Sequence, residues 1–390
     1  MTKKSILWLS DGCYLTTGYA TITRKALNYL TELGWDTNHL SHTAQHQTMM
    51  AGTTLEDNEI LNFKIYGAGI QPYCQDIMTQ RIRELDVRIF GILLDTFMCY
   101  PWLLNIDLTP AKSFFYFPSD GGGFPLGCEQ ILRKVDLPIA MSKYAQKQVK
   151  ELFNIDSEYI PHAIETDVYK PLNEQERATG KAKMGLTGKF VVGVVARNQG
   201  RKMLDRTLKS FAIFARQVPE AILLLHCDKF DPAGYFNFDV LINQLKIQNR
   251  VVFTGTRYFK GFNYKQMNEL YNVMDLFFLG TSGEGFGVPL IEAMGAGIPV
   301  LTTDYTTGQE IIADNKAGEL IKLKDELLGN WNVERGLMDI QDGADKMLKL
   351  YKDKQLMREY SNNGRSAVLR DYDWRLVSKK WDEVLTKLAK

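Results

Sequence analysis

Cysteine is scarce and unpatterned in this 390-residue chain: five residues, Cys13, Cys74, Cys99, Cys128 and Cys227, with no C-x-x-C pair. An odd, scattered set argues against a disulfide framework or a cysteine-rich zinc site and reads as free thiols in a reducing compartment. Excess charge is missing as well. The formal net charge is +1, and the first 160 residues hold 14 basic against 17 acidic side chains. That removes the electrostatic basis for a dedicated nucleic-acid binder. No apolar run of the roughly 18 residues needed for a membrane span occurs. The apolar stretch in "MTKKSILWLSDG" is too short for a signal peptide, so the expectation is a soluble, cytoplasmic protein. Also lacking is a G-x-G-x-x-G turn followed about 20 residues later by an acidic residue, which argues against a dinucleotide oxidoreductase.

What is present has the balance of a globular protein, 45% apolar and 24% charged. The length implies two domains of about 150–200 residues each. Short apolar runs alternate with amphipathic stretches: "ILWL" (6–9), "VRIFGILL" (87–94), "SFFYF" (113–117) and "LPIAMS" (137–142), each followed by a loop and a helical pattern. A charged, Pro- and Gly-containing stretch (160–188) reads as a linker with a small polar helix. The pattern then restarts at "KFVVGVVARNQG" (189–200) and continues through 221–227, 250–255, 275–280, 298–303 and 318–323. Alternation of this kind implies βαβ units and two parallel, doubly wound sheets. The expected domains are 1–165 and 166–370, with 371–390 an amphipathic helix packing back toward the first. Doubly wound domains bind ligands beyond the carboxyl ends of their strands, so the expected site is a cleft between the two.

Three strand-end loops carry more than turn chemistry. Thr16-Thr17-Gly18 precede the first helix, where free N–H groups suit an anion or simply an N-cap. Arg197, Arg201 and Lys202 crowd the end of "KFVVGVV", as a phosphate site or a solvated charge cluster. "GEGFGVPLIE" (283–292) sets Glu284 among three glycines at a strand end, with a helix starting near Val288-Pro289. Glycine lets the backbone approach a ligand, and the N–H groups of Gly285, Phe286, Gly287 and Val288 can donate to it. Glu292 falls about one turn inside that helix, where it can reach hydroxyls.

At this point "EGFGVPLIEAMGAGIPVLTT" resembles the Glu-x7-Glu segment of retaining GT-B glycosyltransferases, family 4 in particular. "SKYAQKQVKELFNIDSEYIPHAIETDVYKP" (142–171) is similar to that family's domain-joining segment, "VVARNQGRKM" to its donor-phosphate loop and "RVVFTGTR" to its nucleobase-side strand. Tyr372-Asp373-Trp374 matches a recurrent ending. The likeness covers essentially the whole second half and is sparser in the first. It implies a metal-independent hexosyltransferase using a nucleoside diphosphate sugar, UDP- or GDP-hexose favoured, as co-substrate with no other cofactor. It also implies roles. Glu284 would meet the transferred sugar and Glu292 the ribose. Arg197 and Lys202 would hold the diphosphate, joined by the Gly18 amide from across the cleft. Thr256 and Arg257 would lie beside the base.

The sequence departs from the family where many members carry a histidine near the anomeric carbon. Here Pro118-Ser119-Asp120-Gly121-Gly122-Gly123 follows the strand, so Asp120 is either the replacement or a solvated turn residue. His162 reads as structural, and His39, His42 and His46 fall in an acceptor-side region together with Asp95. The acceptor (sugar, glycan, lipid-linked or protein) is not specified by these motifs. The aromatics of "TFMCYPWLL" (96–104) either stack on a sugar or fill core. A basic run over 129–150 is either a solvated helix face or a peripheral membrane or phosphate contact. The alternative to a transferase is a nucleotide-sugar-binding protein of the same fold without turnover.

Overall fold

The computed structural model describes residues 3–43, 48–55, 59–257 and 261–390; His46 lies outside them. The chain divides into two compact units, one of residues 1–119, 123–163 and 374–390, the other of 120–122 and 164–373. The division therefore falls two residues before the expected 165/166 boundary. The terminal helix counts with the first unit rather than standing apart, and the short Asp120–Gly122 segment counts with the second.

The first unit is built on strands β1 (Ser5–Ser10), β2 (Asp36–Ser41), β3 (Lys64–Tyr66), β4 (Ile89–Ile92), β5 (Lys112–Phe117), β6 (Leu137–Ala140) and β7 (Glu158–Tyr159). They form one parallel sheet in the order β3-β2-β1-β4-β5-β6-β7. β1, β4 and most of β5 are buried, as expected of strands covered on both faces. The terminal helix Trp374–Leu388 covers part of one face. Trp381 lies 5.0 Å from Trp8 and 4.9 Å from Tyr116, and Trp374 stacks on Tyr29 at 5.9 Å. Rings of this size bury the largest apolar areas in any core.

The second unit contains β8 (Phe190–Val195), β9 (Ala221–His226), β10 (Val251–Phe253), β11 (Leu276–Leu279), β12 (Val300–Thr303) and β13 (Gly318–Ile321). Their order is β10-β9-β8-β11-β12-β13, again all parallel. Beyond it, β14 (Leu323–Leu328) and β15 (Glu334–Met338) form an antiparallel hairpin. The small polar helix expected within 160–188 is Glu174–Lys183, started by an Asn173/Glu176 capping box.

In both sheets the strand order reverses once. The reversal lies between β1 and β4 in the first unit and between β8 and β11 in the second. At such a point the loops after the two central strands diverge and leave a crevice, where doubly wound folds bind ligands. No helix among the described residues is long and apolar enough to cross a membrane.

Candidate functional site

The loops that leave the second unit's reversal point are 196–203 after β8 and 280–287 after β11. They are locked together by backbone: Ser282 N–H donates to the Arg201 carbonyl at 2.7 Å, and the Thr281 hydroxyl reaches the same oxygen at 3.3 Å. This lock brings side chains 82 residues apart into contact. Lys202 Nζ lies 2.5 Å from Glu284 Oε1, and Arg201 Nη1 lies 3.1 Å from Glu284 Oε2. Both Lys202 and Glu284 are buried, at 8% and 5% exposure.

Buried ions perturb one another strongly. Burial opposes ionisation of Glu284, but the Lys202 and Arg201 charges outweigh it and hold the carboxyl at about 2. Burial and the neighbouring Arg201 pull Lys202 down to about 8, against the attraction of Glu284. At neutral pH the two form an ion pair.

Asp120 belongs to the same cluster. Its Oδ1 lies 3.0 Å from Arg335 Nη1, on β15, and its Oδ2 3.9 Å from Arg201 Nε. Arg335 also donates to the Asp120 carbonyl. That carbonyl explains one of the glycines: Gly283 has φ +149°, and a Cβ there would come within 1.9 Å of Asp120 O. Gly287, at φ +99°, is the left-handed N-cap of the helix Val288–Gly295. Pro289 follows in the first turn as expected, and the amides of Gly285 to Val288 lie at that helix start. Phe286 is buried against Tyr372 at 5.8 Å, and its carbonyl accepts from Thr307 at 2.7 Å.

The remaining expected residues are spread more widely. Arg197 Nε pairs with Asp231 at 3.0 Å rather than with Glu284. Three cations at this strand end were expected to need a phosphate or solvent. Carboxylates of the protein already pair with them, and for the buried Lys202 such a partner in the fold is required. Arg197, Arg201, Lys202 and Arg335 against Asp120, Asp231 and Glu284 still leave one positive charge. Glu292 accepts from Tyr271 OH at 2.7 Å. Burial raises its pKa despite the Tyr271 and Tyr169 hydroxyls. Arg257 pairs with Asp228 at 3.2 Å and lies over the Phe230 ring, beside Thr256. Gly18 opens the first helix of the other unit, Gly18–Glu32, behind an N-cap made by Thr17.

Two histidines named from sequence are structural. Burial holds His39 at about 4 and His162 at about 3, and their ring nitrogens meet the Trp8 carbonyl and Tyr116 OH. The basic run over 129–150 is largely paired: Arg133 with Glu129, Lys147 with Glu151, Lys150 with Asp156. The sequence placed Arg201 in the cation cluster, but the family resemblance gave the diphosphate to Arg197 and Lys202 alone. Sequence reasoning missed Arg335 and Tyr271, whose partners are distant in the chain. Among the described residues no group of three or more His, Cys, Asp or Glu side chains could hold a metal ion.

Residues 176–367, which carry this cluster apart from Asp120, match the family model of glycosyl transferases group 1. The match to group 1 glycosyl transferases thus extends over just under half of the chain. The D-inositol 3-phosphate glycosyltransferase of Nocardia farcinica is 27% identical over 205 residues, covering 50% of this chain and 44% of that protein. The mannosylfructose-phosphate synthase of Agrobacterium fabrum is 28% identical over 189 residues, 44% of this chain and 38% of that one. The chain thus spans less than half the length of these curated relatives. Likeness of fold extends further. Sucrose-phosphate synthase from Thermosynechococcus elongatus superposes with a TM-score of 0.76 at 15% identity over 99% of both chains. Anabaena HepE, solved with UDP and glucose, gives 0.74 at 14% identity, covering 98% of this chain and all of that one. The architecture is GT-B, with two Rossmann-like α/β domains. The family match contains Arg197, Lys202, Glu284 and Glu292, but not Gly18 or Asp120.

Proposed function

We propose that the protein is a retaining hexosyltransferase that moves a sugar from a nucleoside diphosphate sugar, UDP- or GDP-hexose, to a hydroxyl acceptor. The observation that carries this reading is the Glu284–Lys202–Arg201 cluster at the reversal point of the second sheet, beside the amide-rich start of the helix Val288–Gly295. A residual positive charge and a helix N-terminus together suit a diphosphate. Lys202, Arg201 and Arg197 bind it, the amides of Gly285 to Val288 face diphosphate and sugar, and Glu284 takes sugar hydroxyls. Glu292, already fixed by Tyr271, accepts from the ribose. Thr256 and Arg257 flank the base, and the Gly18 amide adds a donor from the first unit.

In the reaction, the acceptor oxygen bonds to the anomeric carbon on the face that the diphosphate leaves. The carbon–oxygen bond to the β-phosphate breaks with its electron pair on the diphosphate. The acceptor proton passes to that departing oxygen, leaving a glycoside of unchanged anomeric configuration and a nucleoside diphosphate. Charge grows on the diphosphate as the bond breaks, so fixed cations lower the barrier there without rearranging. Asp120, held by two arginines, keeps Arg201 and Arg335 in place rather than replacing the family histidine as a reacting group.

That last feature also favours a second reading, a nucleotide-sugar-binding protein without turnover. A thermal-shift panel of nucleoside diphosphates and their sugars, followed by assay of diphosphate release, separates the two. Stabilisation grows as RT ln(1 + [L]/Kd), so the correct base stands out. Release of diphosphate supports the transferase, and binding without release supports the second reading. Absence of any shift at millimolar nucleotide overturns both.

A further inference from the structure

The first unit's reversal point lies between β1 and β4, and the loops that leave it carry chemistry of a different sort. Asp11 follows β1, His42 follows β2 and Asp95 follows β4. Asp11 accepts from His42 Nε2 at 2.9 Å and from the Thr17 hydroxyl at 2.6 Å. Burial opposes its ionisation, but these bonds overturn that and keep it below the usual carboxylate range. Asp95 accepts from Tyr19 OH at 2.7 Å. Beyond them stands an aromatic shelf: the His42 ring is 5.3 Å from Tyr73, which stacks on Trp102 at 6.0 Å and 8°. Tyr73 is half-buried and is held at φ +57°, a left-handed conformation costly for a bulky residue.

We infer that Asp11, His42, Asp95, Tyr73 and Trp102 form the acceptor site and that the acceptor is an uncharged sugar. This rests on the transferase reading above and adds to it the class of acceptor. Two carboxylates met by hydroxyls and an imidazole accept hydrogen bonds from a polyol and repel a phosphate. Arg24, which reaches this loop, is committed to the Cys13 carbonyl at 2.7 Å and to Glu59 at 2.8 Å. A pair of near-parallel rings suits the apolar face of a pyranose, and a few polar groups around an apolar wall is the usual make-up of a small-ligand site. In the tautomer that donates Nε2–H to Asp11, His42 Nδ1 carries a lone pair that can accept from an incoming hydroxyl. Three of the proteins named above carry a phosphate in their names, so the inference separates this chain from them.

Saturation-transfer NMR on the full chain with saturating nucleoside diphosphate tests it. The probes are methyl α-glucopyranoside, α-mannopyranoside and α-galactopyranoside, against glucose 6-phosphate and phosphatidylinositol vesicles. Expected is transfer to at least one neutral glycoside, reduced at least fivefold in Trp102→Leu and in His42→Gln. The isosteric Asp11→Asn should raise the acceptor KM at least tenfold while the donor KM stays within twofold. Nucleotide-induced thermal shifts should be unaltered in all three variants, which certifies folding. Signal confined to the phosphorylated sugar or the vesicles, no signal from any probe, or glycoside signal unaffected by the variants overturns the inference. Failure of the transferase reading is read separately, as the absence of nucleotide shifts in the unaltered chain.

Discussion

The two parallel sheets end on opposite chemistry. At the second unit's reversal point, cations outnumber the carboxylates they pair with; at the first unit's, two carboxylates stand beside aromatic rings. One fold, used twice, therefore offers a site for an anion and a site for a polyol. The strand-end position comes from topology, while the ligand class comes from which charges the loops supply. The largest expected effect breaks this contrast on the cationic side. Lys202→Ala leaves Glu284 with only Arg201 and removes a charge from the leaving group. We expect transfer to fall by about 10³-fold in kcat, in line with loss of a preorganised stabilising group. A loss below tenfold would shift the leaving-group role to Arg197 and Arg201.

Acid should separate the units next. His39 and His162, both in the first unit, are held at about 4 and about 3, below the ordinary value of 6.5. Between those values the unfolded chain binds protons that the folded unit does not, so stability is full above pH 6.5 and declines as pH falls. At pH 5.5 each histidine should cost about 1.4 kcal/mol, roughly 3 kcal/mol together. The second unit has one such histidine, His226, also held at about 4 by burial. Five of the six tryptophans (Trp8, Trp35, Trp102, Trp374 and Trp381) lie in the first unit. Tryptophan fluorescence should therefore report an earlier melt on acidification than exchange-protected amides of the second unit. Equal shifts would contradict the assignment.

Within the cationic site the two glutamates should part company. Glu284→Gln removes the partner of Lys202 and a sugar contact, and should lower kcat by about 10²-fold with nucleotide Kd changed less than fivefold. Glu292→Ala should raise nucleotide Kd about tenfold and lower kcat less. Isothermal titration and initial rates decide it, and reversed effects would exchange the two roles.

The sequence made legible what local rules control. Apolar runs marked the buried strands, Pro289 marked the helix start, and the spacing from Glu284 to Glu292 carried the family resemblance. The strand β2 was missed because "DTNHLS" is polar; Asn38 and His39 are nevertheless buried, His39 through its bond to Trp8 O. The hairpin β14–β15 was missed because "KDELLGNWNVER" is charged and exposed, and with it went Arg335. Side chains meeting at 82 and 215 residues' separation, as Glu284 does Lys202 and Asp120 does Arg335, leave no periodic trace. Gly283 illustrates the same limit: its glycine reads as ligand access in sequence, yet the nearest demand on it is the Asp120 carbonyl.

The smallest expected effect sharpens the comparison at its one shared point, Gly18. This residue lies in the acidic, aromatic unit, yet its amide is assigned to the diphosphate. A Cβ built there meets nothing within 4 Å, and its φ is not left-handed, so the fold does not require glycine. Alanine also suits a helix better than glycine, so Gly18→Ala should alter stability by less than about 0.5 kcal/mol. If a diphosphate approaches this amide, the added methyl crowds it, and kcat/KM for the donor should fall three- to tenfold with acceptor KM unchanged. An unaltered donor kcat/KM would remove Gly18 from the donor site. The Thr17–Asp11 bond would then leave this helix start wholly to the acceptor side.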